Sequence, residues 1–329
     1  LVSFFSALAL VVSLLGLDAH AVEQGASKKK AARETCAFTG TPAARKVARR
    51  PAVAVRISNS PDARPQSGVE SADLVIETLT EGGTTRLISF FHCSPARTAG
   101  PVRSARMDDA AVVSPYSKLF AFSGANAPVM EELEKSALTL VTEANSGGVH
   151  RVPVNSTDVN SVNADVTALR SLARSAGATK PSTGFRFGQL QKPKTSVSTI
   201  DLDFGGTTVG YRWGKGGWAR SQDGAAFRDA SGRQVKTTNV LVQEIDASPS
   251  KSLFDSNGVA SPRFDLVGSG RAWLFRDGKM VQGTWTDSGA GAPVFKTSKG
   301  AVMNLARGRT WLEMVPSADG ELSGMISYR

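Results

Sequence analysis

Cysteine and histidine are scarce in this 329-residue chain: two cysteines and three histidines, His20, His92 and His150. That count excludes a disulfide-rich scaffold and a four-cysteine zinc site, and it leaves little for a histidine metal centre. No Walker loop, H-E-x-x-H, G-x-S-x-G or C-x-x-C pattern occurs, so nucleotide hydrolysis, zinc proteolysis and α/β-hydrolase chemistry lose their main supports. Neither a cofactor nor a metal is expected. After the first 17 residues no apolar run is long enough to span a bilayer.

Residues 1–17 carry no charge, and Ala19-His20-Ala21 follows with small residues at both outer positions. This is the apolar core and cleavage site of a secretory signal over 1–21, with a mature start near Val22 and no transmembrane helix after cleavage. No cysteine stands near the cleavage point, so lipid attachment at a lipobox is not expected. The destination is extracytoplasmic, in or near the cell wall or envelope. Residues 22–50 then hold eight Lys or Arg against two Glu, a net of +6 out of the chain's +10. With few large apolar residues, this stretch reads as a basic flexible linker. Outside a cell such a charge meets acidic polymers or headgroups rather than nucleic acid. In an oxidising compartment Cys36 and Cys93 are expected to pair.

From 51 to 185 strand-like and helix-like segments alternate. Strands are expected over 52–57, 74–81, 84–91 and 118–123, and helices over 104–113, 128–137 and 161–176. The pattern predicts an α+β or α/β N-terminal domain containing a β-hairpin. Residues 179–195 are rich in Pro, Gly and polar side chains and mark a boundary. From 196 to 329 short strand candidates separated by Asp-Gly and Ser-Gly turns predict a smaller, mostly-β C-terminal domain. All five tryptophans fall there, as core rather than as sugar-stacking platforms.

A two-residue Gly82-Gly83 loop would set Glu81 opposite Thr84, Leu79 opposite Arg86 and Glu77 opposite Ile88. Glu77, Glu81 and Arg86 would then share one face, with either glutamate a candidate general acid/base and Arg86 a grip for an anion. Their backbones stand about 13 Å apart on a straight strand, at roughly 3.3 Å per residue. That is too far for a simple carboxylate pair, and a salt-bridged structural face is the competing reading. Gly100-Pro-Val-Arg-Ser-Ala-Arg106 enters the next helix, where Arg103 and Arg106 would strengthen an anion site at its first turn. His150 and Asn155 belong to a further polar cluster after the Gly147-Gly148 turn. His92 beside Cys93 is not a nucleophile–base pair, because strand neighbours point to opposite faces.

Three long motifs occur in order. They are Asn59-Ser-Pro-Asp-Ala-Arg-Pro-Gln-Ser-Gly68, Val75-Ile-Glu-Thr-Leu-Thr-Glu-Gly-Gly-Thr-Thr-Arg86 and Gly100-Pro-Val-Arg-Ser-Ala-Arg106. Together with Tyr211-Arg-Trp, Trp218-Ala-Arg220, Thr238-Asn-Val-Leu-Val242, Gly283-Thr-Trp285 and Arg309-Thr-Trp-Leu-Glu313, they resemble the YerB-like envelope lipoproteins, domain of unknown function 3048. The resemblance implies a two-domain extracytoplasmic protein and supplies no reaction. It carries over the positions Asn59, Asp62, Arg64, Glu77, Glu81, Arg86, Arg103 and Arg106. The expectation is a protein that binds an anionic or glycan envelope polymer through this Arg/Glu cluster. A glycan-cleaving enzyme using Glu77 or Glu81 is the alternative, and contact with other envelope proteins through the β domain is a third reading.

Overall fold

The structure is a computed structural model that describes residue 1 and residues 33–145, 147–192 and 194–329. The expected signal over 1–21 and the first part of the expected linker lie outside the described residues. Residues 33–50, read as the rest of that linker, are folded. Arg33–Thr35 pairs with Pro42–Ala44, and the short helix Arg45–Ala48 follows. Two contacts overcome the segment's polar composition. Phe38 is fully buried against Phe90 and Tyr116, and a Cys36–Cys93 disulfide ties the turn to the end of a central strand. His92 is buried beside that bond, and burial pushes its imidazole down to about 4, so it stays neutral.

An eleven-stranded sheet forms the centre of the fold. One half holds Val53–Ser58, Leu74–Leu79, Thr85–Phe91, Leu119–Ala121 and Thr139–Val141; the other holds Asn239–Ile245, Gly268–Arg276, Lys279–Asp287 and Thr310–Pro316. The halves join without a break where Thr310–Pro316 runs parallel to Leu74–Leu79. The expected N- and C-terminal domains thus share one sheet and form one compact unit, Ala32–Arg329, and all helices among the described residues precede residue 176. The expected boundary segment is itself tied in, because Arg186–Phe187 pairs with Asn304–Leu305.

Alternation along the strands builds two apolar layers. Val53, Val55, Val75, Leu87 and Phe91 face a second, six-stranded sheet that includes Thr199–Asp203, Thr208–Gly214 and Gly217–Gln222. Leu74, Ile76, Ile88 and Phe90 face the helices Asp109–Val113 and Ala127–Glu134. The helix expected over 161–176 divides into a strand, Val162–Asp165, and a helix, Val166–Ser175. Asp165 caps the helix by accepting from the N–H groups of Thr167 and Ala168. Trp218, Trp273, Trp285 and Trp311 are buried in the core, while Trp213 is half-buried against it.

The hairpin register differs from the sequence expectation by one residue. Thr80 N–H donates to Thr84 O at 2.7 Å, and Glu81–Gly83 forms a tight turn in which Gly82 and Gly83 take φ of 67° and 73°. Glycine is needed at both, because a side chain there would be strained. The three-residue loop sets Glu77 opposite Leu87 and Thr78 opposite Arg86. A one-residue slip moves a side chain to the other face, so Glu77 and Arg86 point to opposite sides of the sheet.

Glu77 enters the layer between the sheets, where Arg220 meets it at 2.7 Å with both side chains fully buried. Its other oxygen accepts from Asn59 at 3.0 Å and Thr85 at 2.6 Å. The Arg220 guanidinium lies 4.2 Å from the Phe227 ring centre and 4.6 Å from that of Trp311, a cation–π sandwich. Glu313 stands beside Glu77 across the parallel pair and bonds to Tyr211. Burial, then the Glu77 charge, pushes the Glu313 carboxyl well above its ordinary value, so it is the neutral member of the cluster.

Arg220→Met should therefore strand a buried carboxylate and lower stability by about 3–5 kcal/mol. Urea unfolding measures this, and an unchanged midpoint would contradict it. Glu313 binds its proton more tightly folded than unfolded, so its stabilising contribution is complete below about pH 4.5 and is lost as pH rises through its elevated folded value. Melting curves of wild type and Glu313→Gln should accordingly diverge in favour of the variant on going from pH 5 to pH 9. Parallel curves would show that Glu313 is ionised.

A candidate anion-binding cleft

On the opposite face of the sheet, Arg86 reaches a cleft of about 860 Å³, a size suited to a small ligand. The hairpin loop, the 103–106 segment, the start of the helix Ala127–Glu134 and a long arm, Ala247–Phe254 with Ala260–Phe264, enclose it. The expected helix over 104–113 begins only at Asp109. Before it, the backbone is engaged sideways: Arg103 N–H donates to Arg56 O, Ala105 N–H to Gly124 O, and Arg106 N–H to the Asp109 carboxylate at 2.8 Å. No helical first turn is present here to hold an anion, so the arginine side chains themselves define the site.

Arg86, Arg103 and Arg106 all line the cleft. Arg106 is occupied: its Nη2 meets Glu81 Oε2 at 2.6 Å, and Ser261 Oγ donates to the other Glu81 oxygen at 2.6 Å. Burial alone would raise the Glu81 carboxyl, but the bond and charge of Arg106, helped by Ser261, outweigh it and hold it below its ordinary value. Arg56, fully buried, is matched by Asp109 at 3.3 Å. Arg86 and Arg103 have no such partner. Arg86 Nη1 donates to Ser104 O at 2.7 Å and Arg103 Nε to Ser58 Oγ at 3.4 Å, and among the described residues neither ion-pairs with a carboxylate. Burial, then the charges of Arg106 and Arg56, pushes the Arg86 guanidinium well below its ordinary value. The cleft thus holds positive charge at a cost that a bound anion would relieve.

The arm is fixed to the same corner. Asp108 accepts from Arg263 at 3.1 Å and from Phe264 N–H at 3.0 Å, and burial raises its carboxyl to about 6 despite Arg263. At the tip of the arm Phe254 and Val259 are exposed beside the cleft.

The other expected site residues are elsewhere. Glu77 and Asn59 are spent in the buried cluster, which gives Glu77 no access to a substrate. Arg64 pairs with Asp223 at 3.1 Å, and Asp62 accepts from Asn160 at 2.9 Å. His150 lines a separate hollow with Arg97, Asn163 and Asp165, and Asn155 is exposed on the following loop. Among the described residues no group of three or more His, Cys, Asp or Glu gathers as a metal centre requires. Sequence reasoning missed the arm. Ser261 lies 180 positions from Glu81 in the chain, and no local pattern marks it.

Two matches to known proteins fit this architecture. The N-terminal domain of a family described as "Protein of unknown function (DUF3048)" matches residues 38–179, and its C-terminal domain matches residues 200–312. A protein of Bacillus subtilis (strain 168) described as "Putative lipoprotein YerB" is 29% identical over 294 residues, which are 86% of this chain and 86% of that protein. The crystal structure of the YerB protein from Bacillus subtilis superposes with a TM-score of 0.73 at 28% identity, covering 89% of this chain and 99% of that one. With both halves of the folded body matched in order, the chain belongs to the DUF3048 family of YerB-like proteins.

Proposed function

We propose that this protein is a binding module of the bacterial cell envelope that holds an anionic or glycan polymer in the arginine cleft. One observation carries the reading: Arg86 and Arg103 face the cleft without a carboxylate partner among the described residues. Unpaired guanidiniums are costly in a partly buried site and are well shaped to grip carboxylate or phosphate. An envelope setting is supported by the lipoprotein description of the Bacillus subtilis relative and by the apolar, uncharged first 17 residues. Glycan cleavage, the second reading, would rest on Glu81 alone. That carboxylate is ionised and bound to Arg106, a poor state for a general acid.

Co-sedimentation of the protein with purified cell-wall sacculi tests the binding reading. Wild type should pellet, less so as salt rises. Arg103→Ala should weaken binding roughly tenfold or more, the worth of a charged hydrogen bond. Salt-independent binding, or binding unaltered by Arg103→Ala, would remove the cleft from consideration. Because Arg86 carries its charge at a cost, Arg86→Met should melt at or above the wild-type temperature while binding less. A clear loss of melting temperature would instead make Arg86 a structural residue.

A further inference from the structure

We infer that the group gripped by Arg86 and Arg103 is a doubly charged phosphoryl group carried on a sugar or polyol. This rests on the cleft reading above and narrows it. Four guanidiniums converge here. Asp109 answers Arg56 and Glu81 answers Arg106, so among the described residues Arg86 and Arg103 are the two guanidiniums with no carboxylate in ion-pair contact; Asp255 lines the same cleft and Asp62 lies near Arg103, and neither pairs with them. A single carboxylate, sulfate ester or phosphodiester brings one negative charge and would leave the other guanidinium unanswered. A phosphomonoester carries about −1.5 to −2 at pH 7 on three strong acceptor oxygens. Its charge and its three oxygens suit two planar forks that no carboxylate touches.

The remainder of the cleft describes the carrier. A volume of about 860 Å³ leaves ample room beyond one phosphate. Phe254 and Val259 present exposed apolar surface at the mouth, and Thr84, Asn126 and Asn257 supply hydroxyl and amide groups around them. An apolar face ringed by hydrogen-bonding groups suits a sugar ring or polyol. Two exposed apolar side chains offer little to a fatty-acyl chain.

Calorimetric titration of the intact protein with N-acetylglucosamine 1-phosphate tests this, with glucuronate and glucose 6-sulfate as singly charged comparisons. The sugar phosphate should bind tightest. Its affinity should fall about tenfold from pH 7.5 to pH 5, because its second ionisation lies near pH 6. Asp108, which holds the arm to the cleft, titrates at about 6 as well; Glu81 and Asp255 are the other carboxylates lining the site, with Asp109 buried behind it on Arg56 and Asp62 near Arg103. The sulfate ester is a monoanion at both pH values, so any pH dependence it shows belongs to the protein and is subtracted. Arg86→Met and Arg103→Met should each cost roughly tenfold or more in phosphate affinity. Arg103→Lys, which keeps the charge and loses the fork, should fall between wild type and Arg103→Met.

Glucuronate or sulfate binding as tightly as the phosphate, or a flat phosphate profile after subtraction, would overturn the doubly charged group and leave the anion cleft standing. Binding to phosphatidic acid vesicles without binding to the sugar phosphate would overturn the sugar carrier. Anion binding indifferent to both arginine substitutions would overturn this inference and the cleft reading together.

Discussion

The Glu77–Arg220 ion pair is the constraint on which the fold depends. Glu77 lies within the first family domain, Arg220 within the second, and Glu313 immediately after it on Thr310–Pro316. All three are fully buried, so none can be exposed or lost without leaving a charge or polar group unanswered. The pair therefore fixes how the six-stranded sheet lies over the central one, and with it the path of Thr310–Pro316 beside Leu74–Leu79. Asn59, Thr85, Gln222 and Tyr211 complete the network. With Glu313 neutral, one anion faces one cation, a balance that a dry interior tolerates.

The contrast with the cleft is electrostatic. Between the sheets, the Glu77 carboxylate and the Arg220 guanidinium answer each other. Across the same sheet, about ten residues along the chain, Arg86 is left with a carbonyl as its hydrogen-bond acceptor and like charges as neighbours. A fold that matches Arg220, Arg106 and Arg56 each with a carboxylate leaves Arg86 and Arg103 without one in ion-pair contact at the cleft. Functional sites are where such local costs are retained, because the ligand supplies what the protein omits.

The resemblance of the two faces in sequence conceals how differently they are used. Glu77 and Glu81 lie on either side of one strand end, and both are met by arginines. Glu77 faces an arginine 143 positions away and is sealed. Glu81 faces Arg106, only 25 positions away, and a serine brought from the far domain. The arm carrying that serine makes the corner a cleft instead of an open surface. It also places Phe254 and Val259 along the cleft.

Much of this was legible in the sequence. Alternation and turn signals located the hairpin strands, the short β-strands after residue 196 and the buried tryptophans, because these follow from local backbone preference and burial. The cluster of Arg86, Arg103 and Arg106 was legible as residue types close in the chain. What the sequence could not decide was register and long-range pairing. A two-residue and a three-residue loop at Gly82-Gly83 are both sterically open, yet they send Arg86 to opposite faces. The linker-like composition of 33–50 concealed one buried phenylalanine, which together with the expected Cys36–Cys93 disulfide folds the segment down. Arg220 against Glu77, Ser261 against Glu81, and the arm that closes the cleft come from more than a hundred residues away. Local chemistry determined which charges were available. Only the tertiary structure decided which were neutralised and which were left without an ion-pair partner, because ion pairing depends on distance in space and burial rather than on spacing along the chain.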